Sequence, residues 1–207
     1  MIRIGITLDD VIRAKTAQIG KIYKKYINPE LNTDELDLST NNYQKIFGFE
    51  TKSEYNKFLY EDYPFEIFGE AGVTSPSLDK KLNLWHLALN NHEEIDDELE
   101  LVLINPMEYN ASIGCTHFFL SKIATRVRET YFPSNMQNIW DRCDILITAE
   151  PRLISKVPDN KICVKITTDY NRDVEHDETL TFDSLIDFIS DNYNLLTVVK
   201  KYNKTNG

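Results

Sequence analysis

Polar side chains directly follow three apolar segments of this sequence, and they are the residues best placed to do chemistry. Thr7 and Asp9 follow the first segment, Asn105 follows the second and Glu150 follows the third. If the segments are strands of a parallel sheet, their carboxyl ends meet at one edge, where ligands bind. A carboxylate there could act as an acid or a metal ligand, and Asn105 could donate to an anion. A simpler alternative stays open for Asp9 and Asp10, since acidic residues also cap helices and favour their positive ends.

Short strands alternate with helices along most of the chain. β-Branched and other apolar residues crowd together in four segments, which predicts strands over 2–6, 99–104, 144–148 and 161–166. Apolar residues recur at three- and four-residue spacing in others, which predicts helices over 11–26, 78–90, 114–130 and 182–193. This alternation predicts an α/β fold, a doubly wound Rossmann-like parallel sheet with helices on both faces. The polar, basic residues 200–207 predict a flexible tail.

Residues 29–78 interrupt this alternation and are rich in Tyr, Phe, Glu and Asn. An aromatic cluster in so short a segment is most often the core of a small domain, and less often a surface that binds a partner. Both interpretations stay open from the sequence. The candidate interface with other protein chains consists of the aromatic residues Tyr43, Phe47, Phe49, Tyr60, Tyr63, Phe65 and Phe68.

Composition narrows the class of protein. A formal net charge of -10 disfavours broad nucleic-acid binding, which needs a cationic face. The three cysteines have no CxxC spacing, which argues against a disulfide framework and a zinc site, and the four histidines lie far apart. No signal peptide and no apolar run of about 20 residues is visible, so we expect a soluble, cytoplasmic protein without membrane contact. The acidic run 92–100 favours a solvated loop, and metal binding or a contact with a partner stay open as alternatives.

Three segments resemble motifs of the haloacid dehalogenase-like superfamily. Ile4-Gly5-Ile6-Thr7-Leu8-Asp9-Asp10-Val11 resembles its first motif, an apolar strand followed by D-x-D-x-T/V. Residues 140–151, WDRCDILITAEP, resemble the fourth motif of the 5'(3')-deoxyribonucleotidase-like branch, and Thr168-Asp169-Tyr170-Asn171-Arg172 resembles its closing P-Y-N-R loop. These relatives carry a cap after the first helix. The resemblance therefore implies a core domain over 1–28 and 79–199 and a small helical cap-like insertion over 29–78.

The resemblance implies a Mg²⁺-dependent phosphohydrolase, but most of the groups which that chemistry requires are replaced. Thr7 stands where the family has the Asp that attacks phosphorus, whereas Asp9 keeps the position of the general acid. Asn105 follows the strand that normally ends in Ser or Thr, 137–140 contains no Lys, and Ala149-Glu150 replaces the acidic pair that binds Mg²⁺. Because loss of one cooperating group removes most activity, we expect a pseudoenzyme without catalytic residues, metal or cofactor.

The sequence therefore favours a structural or interaction module that assembles as a homo-oligomer or with other chains. Its heavy use of Asn, Lys, Ile and Tyr is typical of AT-rich bacteriophage genomes, which favours a virion component such as a connector or tail-ring subunit. Two alternatives stay open. In one, Asp9, Asp10 and Glu150 rebuild a Mg²⁺ site in a 5'(3')-deoxyribonucleotidase or small-molecule phosphatase. In the other, the chain senses nucleotides without chemistry.

Overall fold

A computed structural model describes residues 1–89, 95, 97–105 and 110–206 of the chain. Its described strands form one six-stranded sheet in which every pair is parallel. The strand order is β3-β2-β1-β4-β5-β6. The α/β class and the parallel sheet are thus confirmed. The strands are β1 (Ile2–Thr7), β2 (Leu99–Ile104), β3 (Glu129–Tyr131), β4 (Ile145–Thr148), β5 (Ile162–Ile166) and β6 (Thr181–Phe182).

Helices cover both faces of the sheet, so the central strands are apolar on both sides. On one face, Ile4 and Ile6 pack with Leu82, Phe119 and Phe188 from three different helices. On the other face, Leu146 and its neighbours pack with Ile139, Trp140 and Leu153. The helices are α1 (Lys15–Tyr26), α2 (Tyr43–Ile46), α3 (Lys52–Lys57), α4 (Leu78–Ala88), α5 (Asn110–Lys122), α6 (Pro151–Ile154), α7 (Leu185–Ile189) and α8 (Asn192–Asn206).

The strand order reverses direction between β1 and β4. The chain builds β2 and β3 on one side of β1, then returns to its other side to build β4, β5 and β6. Ligands in open parallel sheets bind at such a switch point, outside the carboxyl ends of the strands. Thr7 and Thr148, the last residues of β1 and β4, therefore mark where a site is expected.

Residues 29–78, which we call the inserted segment, contain α2, α3 and two π-helical turns, Phe58–Asp62 and Phe65–Gly69. Their side chains form a separate apolar cluster with Ile19 and Ile22 of α1. A threonine–glutamate capping box at Thr51 begins α3. The inserted segment is therefore packed on the helix that leads into it.

Several predicted helix boundaries are wrong. The helix predicted over 114–130 ends at Lys122, because Ala124 takes a left-handed conformation (φ 49°), and the short strand β3 follows. The helix predicted over 182–193 is a strand end and two helices, because Ser184 and Asp191 each accept a hydrogen bond from a backbone N–H of the helix that follows.

Within the flexible tail predicted over 200–207, the described residues continue α8 to Asn206. Leu195, Val199 and Tyr202 lie at spacings of four and three residues and pack on the main core. Asn206 also donates a hydrogen bond to the carbonyl of Asn160 at 3.2 Å. The polar residues that suggested a loose end are the solvent face of an amphipathic helix.

Gly5 is the position in β1 where a side chain has no room. A Cβ there would lie 2.6 Å from Ile104 Cδ1 and 3.0 Å from Cys143 Cβ. We expect Gly5→Ala to destabilise the protein by about 1–3 kcal/mol through overpacking, and Ile104→Val to restore part of that loss. Gly114→Ala on α5, where a Cβ meets no described atom within 4 Å, should stabilise by about 0.5–1 kcal/mol. Urea denaturation of these variants measures whether each substitution raises or lowers the free energy of unfolding. A Gly5→Ala midpoint equal to that of the wild type would contradict the close packing at Gly5.

Candidate functional site

The loop after β1 is built around Asp10. Asp10 has a left-handed backbone (φ 57°), and its N–H donates to the carbonyl of Arg13 at 2.8 Å. Its carboxylate accepts from the N–H of Thr16 at 2.9 Å and from the hydroxyl of Thr16 at 2.6 Å. Thr16 lies in the first turn of α1, so Asp10 stabilises the start of this helix, which therefore begins at Lys15 and not at residue 11.

Asp9 is held between two cations. Arg13 contacts Oδ1 at 2.5 Å through Nη2 and at 2.9 Å through Nε, and Lys15 Nζ contacts Oδ2 at 2.6 Å. Burial raises the pKa of the Asp9 carboxyl, but Arg13 and Lys15 outweigh that effect and hold the pKa below its ordinary value. Asp9 is therefore an ionised partner of two internal cations at neutral pH.

The guanidinium of Arg13 is fully buried, with 0% of its side chain exposed. Nη1 donates to the hydroxyl of Thr116 at 2.6 Å and to the carbonyl of Phe68 at 3.3 Å, and Nη2 approaches Asn105 Oδ1 at 3.4 Å. The ring of Phe68 lies 5.0 Å from the guanidinium carbon. Arg13 thus joins the ends of β1 and β2 to the inserted segment.

Only three of the four predicted site residues line the same cavity. Thr7, Asp9 and Glu150 line one cavity, whereas Asn105 is buried behind them. The hydroxyl of Thr7 donates to that of Thr148 at 3.1 Å across the switch point. Glu150 accepts from the N–H of Arg152 at 3.5 Å as the N-cap of α6. Asn105 contacts Arg13 and Thr116 at 3.4 Å, so it positions the buried cation.

The cavity, which we call the strand-end pocket, has a volume of about 250 Å³ and lies between the sheet edge and the inserted segment. Four tyrosines, two lysines and two asparagines line it together with three carboxylic acids. The residues that line the strand-end pocket are Thr7, Asp9, Asp10, Lys15, Asn41, Tyr43, Lys52, Tyr55, Asn56, Leu59, Tyr60, Met136, Glu150 and Tyr170.

Three of the pocket's tyrosines are held in place by contacts with neighbouring side chains. Tyr43 shares a hydrogen bond with Thr16 at 2.7 Å, and its ring meets the edge of Tyr170 with centroids 6.2 Å apart. The hydroxyl of Tyr170 donates to Asp10 at 3.2 Å. Tyr60 stacks on Phe68 at 5.4 Å. Burial raises the pKa of Tyr43 and Tyr170, so these hydroxyls stay neutral at physiological pH.

Backbone carbonyls of the inserted segment fasten it to the core. Gln18 donates to the carbonyl of Glu66 at 2.7 Å. Lys122 Nζ donates to the carbonyls of Gly69 at 3.0 Å and Ala71 at 2.7 Å. These contacts join the π-helical turn Phe65–Gly69 and Ala71 to α1 and α5.

The predicted aromatic interface is largely internal. Phe47 and Phe68 are 3% and 0% exposed, and both belong to the apolar cluster of the inserted segment. Phe65 is 42% exposed and packs against the ring of Phe118 at 4.9 Å. Tyr43 and Tyr60 face the strand-end pocket instead. The two remaining members, Phe49 and Tyr63, are partly buried against the same cluster.

Replacement of Glu150 by Gln is expected to stabilise the protein at pH 7. Burial raises the pKa of this carboxyl above its ordinary value of 4.5, so its contribution to stability is complete below pH 4.5 and is lost as the pH rises through the folded-state pKa. Gln keeps the acceptor for Arg152 without the charge. The urea midpoint of Glu150→Gln should match wild type at pH 4 and exceed it at pH 7, whereas the exposed control Glu30→Gln should change neither. A lower midpoint of Glu150→Gln than of the wild type at pH 7 would contradict a raised pKa of Glu150.

The sequence reasoning missed Arg13 and Lys15, which determine the electrostatics of the site. Their spacing from Asp9, four residues for Arg13 and six for Lys15, is compatible with ion pairs but does not indicate which side chains are buried. Tyr55 and Tyr170 also line the strand-end pocket, although their sequence positions do not single them out. Tyrosines carry too little positional information in one sequence to be assigned to a cavity.

Other predicted features lie apart from this site. Cys143 and Cys163 are buried free thiols, and Cys115 is half-buried. Four of the nine residues in the acidic run 92–100, including His92, lie outside the described residues. Within the described ranges, no three His, Cys, Asp or Glu side chains form a group that could hold a metal ion. None of the described helices is both long and apolar enough to cross a membrane.

Compared with protein-family models and with curated protein sequences, the chain has no match.

Proposed function

We propose that this chain is a catalytically inactive binding protein with a haloacid dehalogenase-like architecture. Its strand-end pocket holds a small ligand without transferring a phosphoryl group. Support for the architecture comes from the position of β1 beside β4, and from an inserted segment that follows α1 and covers the switch point. Asn171, in the loop that resembles P-Y-N-R, donates to the carbonyls of Ala149 and Ile166 at 2.8 Å, which ties the ends of β4 and β5 together.

The observation that carries the proposal is the pairing of both Asp9 oxygens with side-chain cations. An acid catalyst must hold a proton, whereas Arg13 and Lys15 stabilise Asp9 in its ionised form. The carboxylate that would attack phosphorus is replaced by Thr7, whose hydroxyl donates to Thr148 and has no general base as a partner among the described residues.

Mg²⁺ does not fit this donor set. A third cation at Asp9 would lie beside a guanidinium and an ammonium that already neutralise it. The hydroxyl of Thr7 supplies no negative charge, and one of the two oxygens of Glu150 is engaged as a helix cap. Mg²⁺ is usually held by one or two carboxylates with near-octahedral geometry, and these residues do not supply that set.

A hydrolysis assay tests the proposal. Purified protein is incubated with Mg²⁺ and a panel of deoxynucleoside monophosphates and an aryl phosphate, and released phosphate is measured. We expect the rate with wild-type protein to equal that with Asp9→Asn. A Mg²⁺-dependent rate that Asp9→Asn abolishes would contradict the proposal and favour the phosphatase alternative.

A second candidate function is assembly with copies of the same chain or with other proteins, as in a virion. It is favoured by two exposed rings, Phe65 and Phe118, which are 42% and 46% exposed and contact each other across the boundary between inserted segment and core. Mass photometry should then show an oligomer that Phe118→Asp dissociates, with Tyr193→Asp as an exposed control. A monomer at all concentrations would contradict self-assembly.

A further inference from the structure

The strand-end pocket has a charge balance that distinguishes it from an anion site. Its lining contains two cations, Lys15 and Lys52, and three acids, Asp9, Asp10 and Glu150. Lys15 is already paired with Asp9, and the buried Arg13 neutralises the other oxygen of the same carboxylate. The pocket therefore has no excess of positive charge to offer a ligand, which phosphate recognition normally requires.

The backbone donors at the sheet edge are also in use. The N–H of Leu8 donates to the carbonyl of Ile104 at 2.9 Å, and that of Asp10 donates to the carbonyl of Arg13 at 2.8 Å. The N–H of Glu150 donates to the hydroxyl of Thr148 at 3.1 Å. Phosphate sites at loops and helix starts depend on such N–H groups pointing at the anion. The N–H groups of Leu8, Asp10 and Glu150 instead point into the protein.

Neutral polar groups and aromatic faces dominate the rest of the lining. The side chains of Tyr55 and Asn56 face the pocket and make no hydrogen bond to any described residue, so their donors and acceptors are available to a ligand. Burial raises the pKa of Tyr55, which keeps its hydroxyl neutral. Glu150 lines the pocket as well, and it has one oxygen beyond that used by Arg152 to accept a hydroxyl.

From this chemistry we infer that the strand-end pocket binds an uncharged, hydroxylated ring compound, a sugar ring or a nucleoside, and discriminates against its phosphate ester. The inference rests on the proposed non-catalytic function and specifies its ligand. Tyrosine rings offer an apolar face to the C–H groups of such a ring, while Tyr55, Asn56 and Glu150 pair with its hydroxyls. A cavity of about 250 Å³ is smaller than the ~300–1,000 Å³ of sites for drug-sized ligands, which suits a molecule of one or two rings.

Isothermal titration and thermal shift with matched probe pairs test the inference. The neutral probes are ribose, glucose, thymidine and uridine, and their charged counterparts are ribose 5-phosphate, glucose 6-phosphate and the two nucleoside monophosphates. We expect saturable binding, with a Kd of about 1 mM or tighter, for at least one neutral probe. Its phosphate ester should bind at least about tenfold more weakly. Whether the free sugars or the nucleosides bind separates the two sources of the ring.

Two variants place the binding in this pocket. Tyr55→Phe removes one hydroxyl and keeps the ring, so it should weaken binding by about two- to tenfold, in line with loss of one hydrogen bond. Tyr193→Phe, on a ring that is 70% exposed on α8, should not change it. Tighter binding of the phosphate esters, no binding of any neutral probe, or an unchanged affinity in Tyr55→Phe would each overturn the inference. These outcomes are distinct from failure of the proposed function, which shows itself as Asp9-dependent hydrolysis.

Discussion

Arg13→Met is expected to lower the free energy of unfolding by about 3–5 kcal/mol, the cost of breaking a buried ion pair from one side. The substitution leaves the hydroxyl of Thr116 and the carbonyl of Phe68 without their cation, and one oxygen of Asp9 loses its partner. Met preserves much of the apolar stem, so the loss reports on the charge and its hydrogen bonds. Urea denaturation monitored by circular dichroism measures the change.

Arg3→Met is the matched control. Arg3 also pairs with two carboxylates, Glu100 at 2.8 Å and Glu129 at 2.9 Å, but 28% of its side chain is exposed. Pairs of this kind contribute about 0–1 kcal/mol. Equal losses in the two variants would show that Arg13 is not the buried centre of the site.

Phe68→Ala should cost about 3–5 kcal/mol, because the ring is 0% exposed and its removal leaves a cavity between the inserted segment and α1. The same ring stacks on Tyr60 and lies beside the guanidinium of Arg13. We therefore expect the variant to weaken ligand binding in the strand-end pocket as well as stability. Urea denaturation and titration with a binding probe measure the two effects.

Phe65→Ala, in the same π-helical turn, is the control for position. Its ring is 42% exposed, so we expect a loss of about 1 kcal/mol or less. The pair also separates the two interpretations of the aromatic cluster. If Phe68→Ala changes oligomeric state and leaves stability intact, the cluster serves an interface and not an internal core.

The central strands could be predicted from the sequence because their apolar runs are dense and their ends carry polar residues. β1, β2, β4 and β5 lie within one residue of the predicted segments. Parallel strands buried on both faces give this signal, since solvent touches neither side. β3 and β6 were missed because they are short edge strands of three and two residues and only half-buried.

The strand-end positions Thr7, Asp9 and Glu150 could also be predicted, since strand ends in a parallel sheet converge by topology. The charge state of the site could not be predicted from the sequence. It depends on Arg13 turning inward beside Asp9 and on Thr116 and Phe68 from distant parts of the chain. From a single sequence, nothing about an arginine in a loop after a strand indicates whether its side chain is buried or exposed to solvent.

We propose that the strand-end pocket carries its own cations at Asp9 and therefore binds no metal ion there. Titration of Mn²⁺ as a paramagnetic substitute for Mg²⁺, followed by the electron paramagnetic resonance of the free ion, tests it directly in wild-type protein and Asp9→Asn. We expect the two binding curves to coincide, because Arg13 and Lys15 already pair with both oxygens of Asp9. A saturable Mn²⁺ site in the wild type that Asp9→Asn lacks would contradict the claim.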